Sequence, residues 1–279
     1  MENLTGKTVL VTGSTDGVGR FVAKTLAGAG ARVLVHGRNA ERGHQIVAEI
    51  EKTGGAATFF KADLASLAEV RLLAATVLDT NGRLDVLINN AGIGTVGGAR
   101  EESADGFELR FAVNYLAGFL LTWLLLPLLR ASAPARIVNV SSAGQYPIDF
   151  ADTMLTRGYS GTRAYCQSKL AQVMFTIDLA AELTGSGVTA TCLHPATYMN
   201  TTMVRRAGVT PVSTVEAGAE AILNLAISPA LAGCTGLYFN GLREARAHSQ
   251  AYDDEARRRL RALSLELTGL SDDGPAAVG

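Results

Sequence analysis

Residues 7–29 read KTVLVTGSTDGVGRFVAKTLAGA, and this stretch decides the fold. Residues 7–12 form a short β-branched run, which is typical of a buried strand. A glycine-rich turn, GSTDGVG, follows at once, and residues 20–29 place Phe21 and Leu26 on the inner face of a predicted helix. Glycines allow a backbone to approach a pyrophosphate, and a helix N-terminus favours its negative charge. The stretch therefore predicts the first half of a dinucleotide site.

The same alternation of strand and helix continues along the chain. Further strands are predicted at residues 32–36, 57–61, 84–88, 136–140, 188–193 and 236–239. Helices are predicted at residues 41–52, 67–78, 107–129, 162–183, 214–226 and 247–267. Repeated β-α units specify a parallel sheet covered by helices on both faces. We therefore expect an α/β protein with a single Rossmann-type, doubly wound parallel sheet of about seven strands, in one domain over residues 1–270 with a flexible tail at 271–279.

Composition excludes several classes of protein. The 279 residues are 48% apolar with a net charge of −1, which gives no electrostatic basis for binding nucleic acid. Three scattered cysteines form no metal-ligand spacing and no disulfide framework, which favours the reducing cytoplasm. No signal-peptide pattern opens the sequence. Residues 107–129 are long and apolar enough for a membrane span, but Asn114, Thr122 and Pro127 interrupt them, so we expect a buried helix instead.

The residues after the second strand bear on which dinucleotide is bound. Sites specific for NAD usually place an acidic residue here to bind the ribose 2′-hydroxyl. This chain has Gly37 at that position, followed by Arg38 and Asn39. A guanidinium can form a fork to a 2′-phosphate. The sequence therefore predicts a preference for NADP(H) over NAD(H).

A tyrosine and a lysine stand four residues apart in residues 165–169, YCQSK. In a helix, Tyr165 and Lys169 share one face, about one turn apart. A free tyrosine has a pKa of about 10, and a nearby cation lowers the pKa of a phenol. We therefore expect Lys169 to lower the pKa of Tyr165, so that the phenol can pass a proton to or from a substrate oxygen.

Taken together, these motifs resemble the short-chain dehydrogenase/reductase family over nearly the whole chain. The resemblance rests on Thr12, Gly13, Gly17 and Gly19, on Asp63, on residues 89–92 (NNAG), on Asn114, on Ser142, and on Tyr165 with Lys169. The three residues between Gly13 and Gly17 are similar to the single-domain branch. The stretch of 23 positions from Ser142 to Tyr165 and the ending GLYF at 236–239 resemble the retinol-dehydrogenase-like subgroup.

The resemblance implies a role for each matching residue. Tyr165 would be the catalytic acid/base, Lys169 would bind the nicotinamide ribose, Ser142 would hydrogen-bond the substrate oxygen, and Asn114 would hold a water behind Lys169. Asp63 and Leu64 would flank the adenine, and residues 90–92 would line the adenosine side. The implied cofactor-binding residues are Gly13, Ser14, Thr15, Gly17, Val18, Gly19, Arg38, Asn39, Asp63, Leu64, Asn90, Ala91, Gly92, Tyr165, Lys169, Pro195, Thr197 and Asn200.

Two positions depart from the family pattern. Ala196 stands where the family usually has glycine after Pro195, and Asn200 replaces a common Ser or Thr that contacts the carboxamide. Asparagine can still form a hydrogen bond, so we expect cofactor binding with altered local geometry. His194 and Cys166 lie close to these motifs, but we assign no chemistry to either of them.

The activity implied is that of an NADP(H)-dependent oxidoreductase, which interconverts a ketone or aldehyde and an alcohol by hydride transfer. Two alternatives stay open: a related enzyme that uses nicotinamide for epimerisation or enoyl reduction, and a non-catalytic NADP-binding regulator. Apolar residues in loops 93–101, 144–161 and 197–213 predict a medium-to-large, mainly apolar substrate. The apolar helices 107–129 and 162–183 predict a homodimer or homotetramer, because in the family such helices commonly pair across a two-fold axis.

Overall fold

The computed structural model describes residues 3–94 and 99–271, and its sheet has eight strands in the order β3-β2-β1-β4-β5-β6-β7-β8. The strands are β1 (Thr8–Val11), β2 (Arg32–Gly37), β3 (Ala56–Lys61), β4 (Val86–Asn89), β5 (Ala135–Val140), β6 (Val188–His194), β7 (Tyr238–Asn240) and β8 (Arg243–Ala245). The first seven strands run parallel, and β8 pairs antiparallel with β7. The predicted doubly wound parallel sheet is confirmed, with one more strand than expected.

Helices cover both faces of the sheet. They are α1 (Gly17–Gly28), α2 (Ala40–Lys52), α3 (Leu67–Thr80), α4 (Leu109–Phe111), α5 (Ala117–Ala131), α6 (Gly161–Glu182), α7 (Thr202–Arg206), α8 (Val215–Ile227) and α9 (Asp254–Thr268). One core packs α1, α2 and α8 against one face, and a larger core packs α3, α5, α6 and α9 against the other. The long helices other than α5 begin at Asp, Asn, Ser or Thr caps, whose side chains accept from a free N–H of the first turn.

The long apolar helix is not regular. The sequence predicted one helix over residues 107–129, but α4 and α5 are joined by a π-helical segment, Ala112–Leu116. Residues 109–131 are long and apolar enough to cross a membrane, yet 78% of their most apolar window is buried within the chain. This burial agrees with the predicted core helix. Single π turns inside α-helices are frequent at functional sites, and here the turn carries Asn114.

The C-terminal helix α9 lies against the apolar helices. Ser264 is hydrogen-bonded to Tyr115 at 2.7 Å, and Arg257 pairs with Asp178 of α6 at 2.6 Å. The guanidinium of Arg261 lies over the Trp123 ring, 5.2 Å from its centroid. Helix α9 therefore covers part of the face that was expected to pack against a second copy.

Candidate active site

The candidate site lies at the carboxyl ends of β1, β4 and β5. Strand order reverses between β1 and β4, because β2 and β3 follow on one side while β5 and β6 follow on the other. Ligands of open α/β sheets bind in the crevice at such a reversal. The glycine-rich turn follows β1, residues 90–92 follow β4, and Ser142 follows β5, so the predicted residues meet at this edge.

The glycine-rich turn passes directly against the end of β4. Gly13 has φ +64°, and a Cβ there would lie 2.8 Å from the Cα of Ala91. A Cβ on Gly19 would overlap the Asn90 amide and the Gly13 carbonyl. The Asn90 amide donates to the Thr12 carbonyl at 2.8 Å and to the Gly13 carbonyl at 3.2 Å. Asn90 therefore holds the turn in place, whereas the resemblance had it lining the adenosine.

His36 also holds this turn, although no sequence motif pointed to it. The Gly13 N–H donates to His36 Nδ1 at 3.1 Å, and the His36 N–H donates to Ser14 Oγ at 3.0 Å. Burial lowers the pKa of His36 to about 4. The ring is therefore neutral at neutral pH, and its Nδ1 stays available as the acceptor that fixes Gly13.

Gly37 and Arg38 occupy the end of β2 beside the turn. A Cβ on Gly37 would lie 2.6 Å from Cγ2 of Thr15, so the missing side chain makes room for this threonine. Arg38 is exposed, and its guanidinium lies 3.8 Å from the carboxylate of Asp63. The side chain of Asn39 instead caps α2, accepting from the Arg42 N–H at 2.9 Å. Arg38 and Asp63 thus lie together at one side of the crevice.

Asn114 reaches from the π-helical segment to the backbone after β4. Its Oδ1 accepts from the Ile93 N–H at 2.7 Å, and its Nδ2 donates to the Ile93 carbonyl at 3.1 Å and to Ser168 Oγ at 2.9 Å. The amide is thus fully engaged with protein groups. Its structural contribution is to fix Ile93, which follows the predicted cofactor residue Gly92.

Tyr165 and Ser142 meet near Gly144. A Cβ on Gly144 would lie 3.6 Å from Ser142 Oγ and 3.8 Å from Cε1 of Tyr165. Burial raises the pKa of Tyr165, while its hydrogen bond with Ser142 acts in the opposite direction. The predicted lowering by Lys169 is therefore wrong for this arrangement. Desolvation outweighs the hydrogen bond, and the lysine Nζ lies 5.8 Å from the ring centroid.

Lys169 is buried, and backbone and amide oxygens surround its Nζ. It donates to the Val140 carbonyl and to Gln172 Oε1, both at 2.9 Å. Burial lowers its pKa to about 7. Gln172 lies one turn after Lys169 on α6. It was not among the predicted site residues, although residues at i and i+3 of a helix are neighbours.

Residues 195–213 pass beside the glycine-rich turn. Thr197 Oγ1 is 3.1 Å from Nε2 of His194, and the Asn200 side chain accepts from Arg205 at 2.6 Å. A Cβ on Gly17 would lie 3.4 Å from Thr201. Tyr198 has φ +43°, a left-handed conformation that costs a bulky residue free energy. The segment that departs from the family pattern therefore closes one side of the crevice under some strain.

The loop residues that suggested an apolar pocket divide into two groups. Ile148 and Leu155 are buried and anchor their loop to the core, while Tyr146, Tyr198 and Met203 are exposed around the site. Val96 lies outside the described residues. Three arginines near these loops interact within the chain: Arg157 with Asp152, Arg163 with Asp149, and Arg205 with Asn200.

A buried ionic cluster joins two of the loops. Arg110 donates to the Tyr159 hydroxyl at 2.6 Å and to the Gly94 carbonyl at 2.9 Å. Its guanidinium lies 3.5 Å from the carboxylate of Glu108, which accepts from the Tyr159 hydroxyl at 3.0 Å. Arg110 and Glu108 are each 1% exposed. The cluster therefore ties loops 93–101 and 144–161 to the start of the interrupted helix.

The residues present fit a nicotinamide dinucleotide. The turn before α1 and the first turn of α1 have no side chain at Gly13, Gly17 or Gly19. The N-terminus of α1 lies at this turn, and a helix N-terminus favours an anionic pyrophosphate. Lys169 lies deeper in the same crevice, with its Nζ 3.5 Å from the position of a Cβ on Gly92.

Comparison with known proteins agrees with this geometry. Residues 7–210 match the family described as short chain dehydrogenase. Human retinol dehydrogenase 13 is 39% identical over 95% of this chain and 85% of its own length. An uncharacterized protein from Mycobacterium paratuberculosis superposes with TM-score 0.79 at 30% identity, over 96% of both chains. Pseudomonas aeruginosa RhlG, solved with NADP, has TM-score 0.69 at 30% identity over 86% of this chain and 97% of its own. The chain therefore belongs to the short-chain dehydrogenase/reductase family, as a retinol-dehydrogenase-like oxidoreductase.

Proposed function

We propose that the protein is an NADP(H)-dependent oxidoreductase that interconverts a ketone or aldehyde and an alcohol on a medium-to-large, mainly apolar substrate. The observation that carries the proposal is the meeting of Ser142 and Tyr165 near Gly144, with Lys169 deeper in the same crevice. Two hydroxyls at the carboxyl edge of the sheet suit the recognition of one substrate oxygen. When bound, the nicotinamide supplies or accepts the hydride, and the protein supplies geometry and proton transfer.

Tyr165 is the proposed acid/base. Because burial raises its pKa, the phenol is protonated at neutral pH, which is the state that carbonyl reduction requires. Ser142 Oγ accepts from the Gly144 N–H at 3.1 Å and interacts with the phenol, so its hydroxyl is oriented toward the same oxygen. Lys169 would bind the nicotinamide ribose from the inner end of the crevice.

The substrate class is supported by the exposed rim and by a relative. Tyr198 and Met203 present apolar surface beside the site, and a relative at 39% identity is named retinol dehydrogenase. We expect kcat/KM with NADPH to rise across ketones of increasing apolar size, because each buried methylene is worth about 0.8 kcal/mol. A panel of carbonyl compounds with matched short oxo-acids measures this. Preference for the short, charged oxo-acids would contradict the substrate proposal.

The same panel separates the alternatives. Steady-state turnover of any carbonyl compound excludes a non-catalytic regulator, and isotope exchange into the product distinguishes net reduction from epimerisation. Intact Ser142, Tyr165 and Lys169 favour turnover, since a regulator need not keep them.

The proposed preference for NADP(H) is tested at Arg38. We expect Arg38→Ala to weaken NADPH binding about tenfold to a hundredfold and NADH binding much less, because a hydrogen bond to a charged group is worth about 1.5–3 kcal/mol. Fluorescence titration measures both dissociation constants. Arg32→Ala is the matched control, since Arg32 is exposed at the opposite end of the same strand. Equal losses for both cofactors would rule out a 2′-phosphate contact.

Two expectations from the sequence stay predictions. We propose a cytoplasmic location and a homo-oligomeric state. The support for the latter from α5 and α6 is reduced, since α9 packs against α6 and against Tyr115.

A further inference from the structure

The ammonium of Lys169 is held by two uncharged acceptors on different elements. Val140 supplies a backbone carbonyl from the end of β5, and Gln172 supplies Oε1 from the next turn of α6, each at 2.9 Å. Lys169 is 5% exposed and Gln172 3% exposed, so water contributes little to this coordination. A buried ammonium needs its hydrogen bonds satisfied by protein groups.

The ammonium also lies beside a predicted cofactor residue. A Cβ built on Gly92 would lie 3.5 Å from Lys169 Nζ and 3.2 Å from Asn114 Oδ1, so these two groups flank the same backbone position. An ammonium has three N–H donors, and Val140 and Gln172 accept from two of them. The place of Gln172 therefore bears on where the third donor can point.

The position of Gln172 is itself fixed by buried hydrogen bonds. Its carbonyl accepts from Thr176 Oγ1 at 2.7 Å, and that hydroxyl accepts from the Asn139 amide of β5 at 2.9 Å. Ser141 Oγ also donates to the Lys169 carbonyl at 2.7 Å. These contacts hold this turn of α6 against the end of β5. The backbone from which the Gln172 side chain extends is therefore fixed in position.

The titratable groups that face Lys169 are Tyr165 on its own helix and His194 at the end of β6. The elements on the other sides present the neutral Asn114 and the Val140 carbonyl. Among the interactions described for Lys169 no carboxylate occurs, so Gln172 Oε1 is the side-chain acceptor that favours the charged form. Burial opposes it and lowers the pKa of Lys169 to about 7.

We propose that Gln172 is a positioning residue, which aims the Lys169 ammonium at the cofactor ribose and keeps it charged. The activity readout of this inference rests on the proposed function, while its binding readout rests only on the proposed cofactor and not on turnover. If Gln172 acts in this way, changing its acceptor must shift the pH at which the lysine loses its charge. A carboxylate favours the ammonium, whereas removal of the acceptor favours the neutral amine.

The test compares Gln172→Met, which keeps length without a strong acceptor, with Gln172→Glu. The dissociation constant of NADPH is measured by fluorescence from pH 5 to 10, together with the pH profile of kcat. Neutralising Lys169 weakens ribose binding as pH rises. We expect the midpoint of this loss to move down by about one pH unit or more in Gln172→Met and up by a similar amount in Gln172→Glu.

Gln167→Met is the matched control, because Gln167 is equally buried on α6 but its amide accepts from the Asp149 N–H instead. Its midpoint should equal that of the unaltered protein. Unchanged midpoints in both Gln172 variants would overturn the proposal, and so would equal shifts in the control. If Gln172→Met does not fold, the upward shift in Gln172→Glu alone decides. If no carbonyl compound is turned over, the proposed function fails while the NADPH midpoints still decide the role of Gln172.

Discussion

Replacing Tyr165 with phenylalanine should lower kcat by at least about 10²–10⁴-fold, the range that general acid/base catalysis typically contributes. The change removes only the hydroxyl. The ring keeps its contacts beside Gly144, so cofactor affinity and the midpoint of thermal unfolding should stay nearly unchanged. Steady-state kinetics, NADPH titration and thermal unfolding measure the three quantities on one preparation.

Tyr252→Phe is the matched control for this experiment. Tyr252 lies in the 3₁₀ turn Ser249–Tyr252, and its hydroxyl accepts from the Ala247 N–H outside the crevice. It should keep near-normal kcat. Lys169→Ala should differ from both, since it removes a group that is proposed to bind the ribose and should impair turnover and cofactor affinity together. Near-normal activity of Tyr165→Phe on the true substrate would refute the assigned mechanism.

Replacing Arg110 with methionine should lower the free energy of unfolding by about 3–5 kcal/mol, because the substitution leaves a buried carboxylate without its cation. Glu108 would keep hydrogen bonds from the Phe111 N–H at 2.7 Å and from the Tyr159 hydroxyl, but no charge would oppose its own. Urea unfolding measures the loss. KM should rise as well, since Arg110 also holds the Gly94 carbonyl of a substrate loop.

The double variant Glu108→Gln/Arg110→Met separates charge from packing. Glutamine can still accept from the Phe111 N–H, and no uncompensated charge remains, so the double variant should be more stable than Arg110→Met alone. Glu108→Gln is measured alone as well. If the loss of stability in the double variant equals the sum of the losses in the two single variants, the cluster acts through side-chain volume and the ionic explanation is wrong.

The fold was predictable because strand and helix periods are local properties of the chain. The run at residues 8–11 is buried at every position, as its composition indicated. Strand β8 was missed because it has three residues, of which two are charged. A signal for it existed, since Gly241 has φ +60° and opens the two-residue turn between Asn240 and Arg243.

The candidate site was predictable in its membership but not in its contacts. Tyr165, Ser142 and Lys169 approach one another as their strand and helix ends indicated. Whether Lys169 or burial sets the pKa of Tyr165 depends on distances of a few ångströms across the crevice, which helical spacing alone does not provide. His36 and Gln172 were missed for a related reason, since each acts through a hydrogen bond whose partner is defined only by the folded chain.

The homo-oligomer stays a prediction, but a tertiary contact reduces the apolar surface on which it was based. Helices α5 and α6 are as apolar as the sequence suggested, but nothing in residues 254–268 announced that a helix rich in arginine would lie across them. The charged side chains of α9 lie at the rim of the contact, where Arg261 pairs with Glu182 at 2.6 Å. Leu260 and Leu265 of the same helix are buried. A charged helix can therefore conceal an apolar face.

Helix α9 packs against this face within the same chain. It also contacts the helix that carries Tyr165, because Arg257 of α9 pairs with Asp178 of α6. Deletion of α9 from Asp254 onward would remove this contact and expose the apolar surface around Trp123. Helix α9, and not only the composition of α5 and α6, therefore determines how much of this face is accessible to a second molecule.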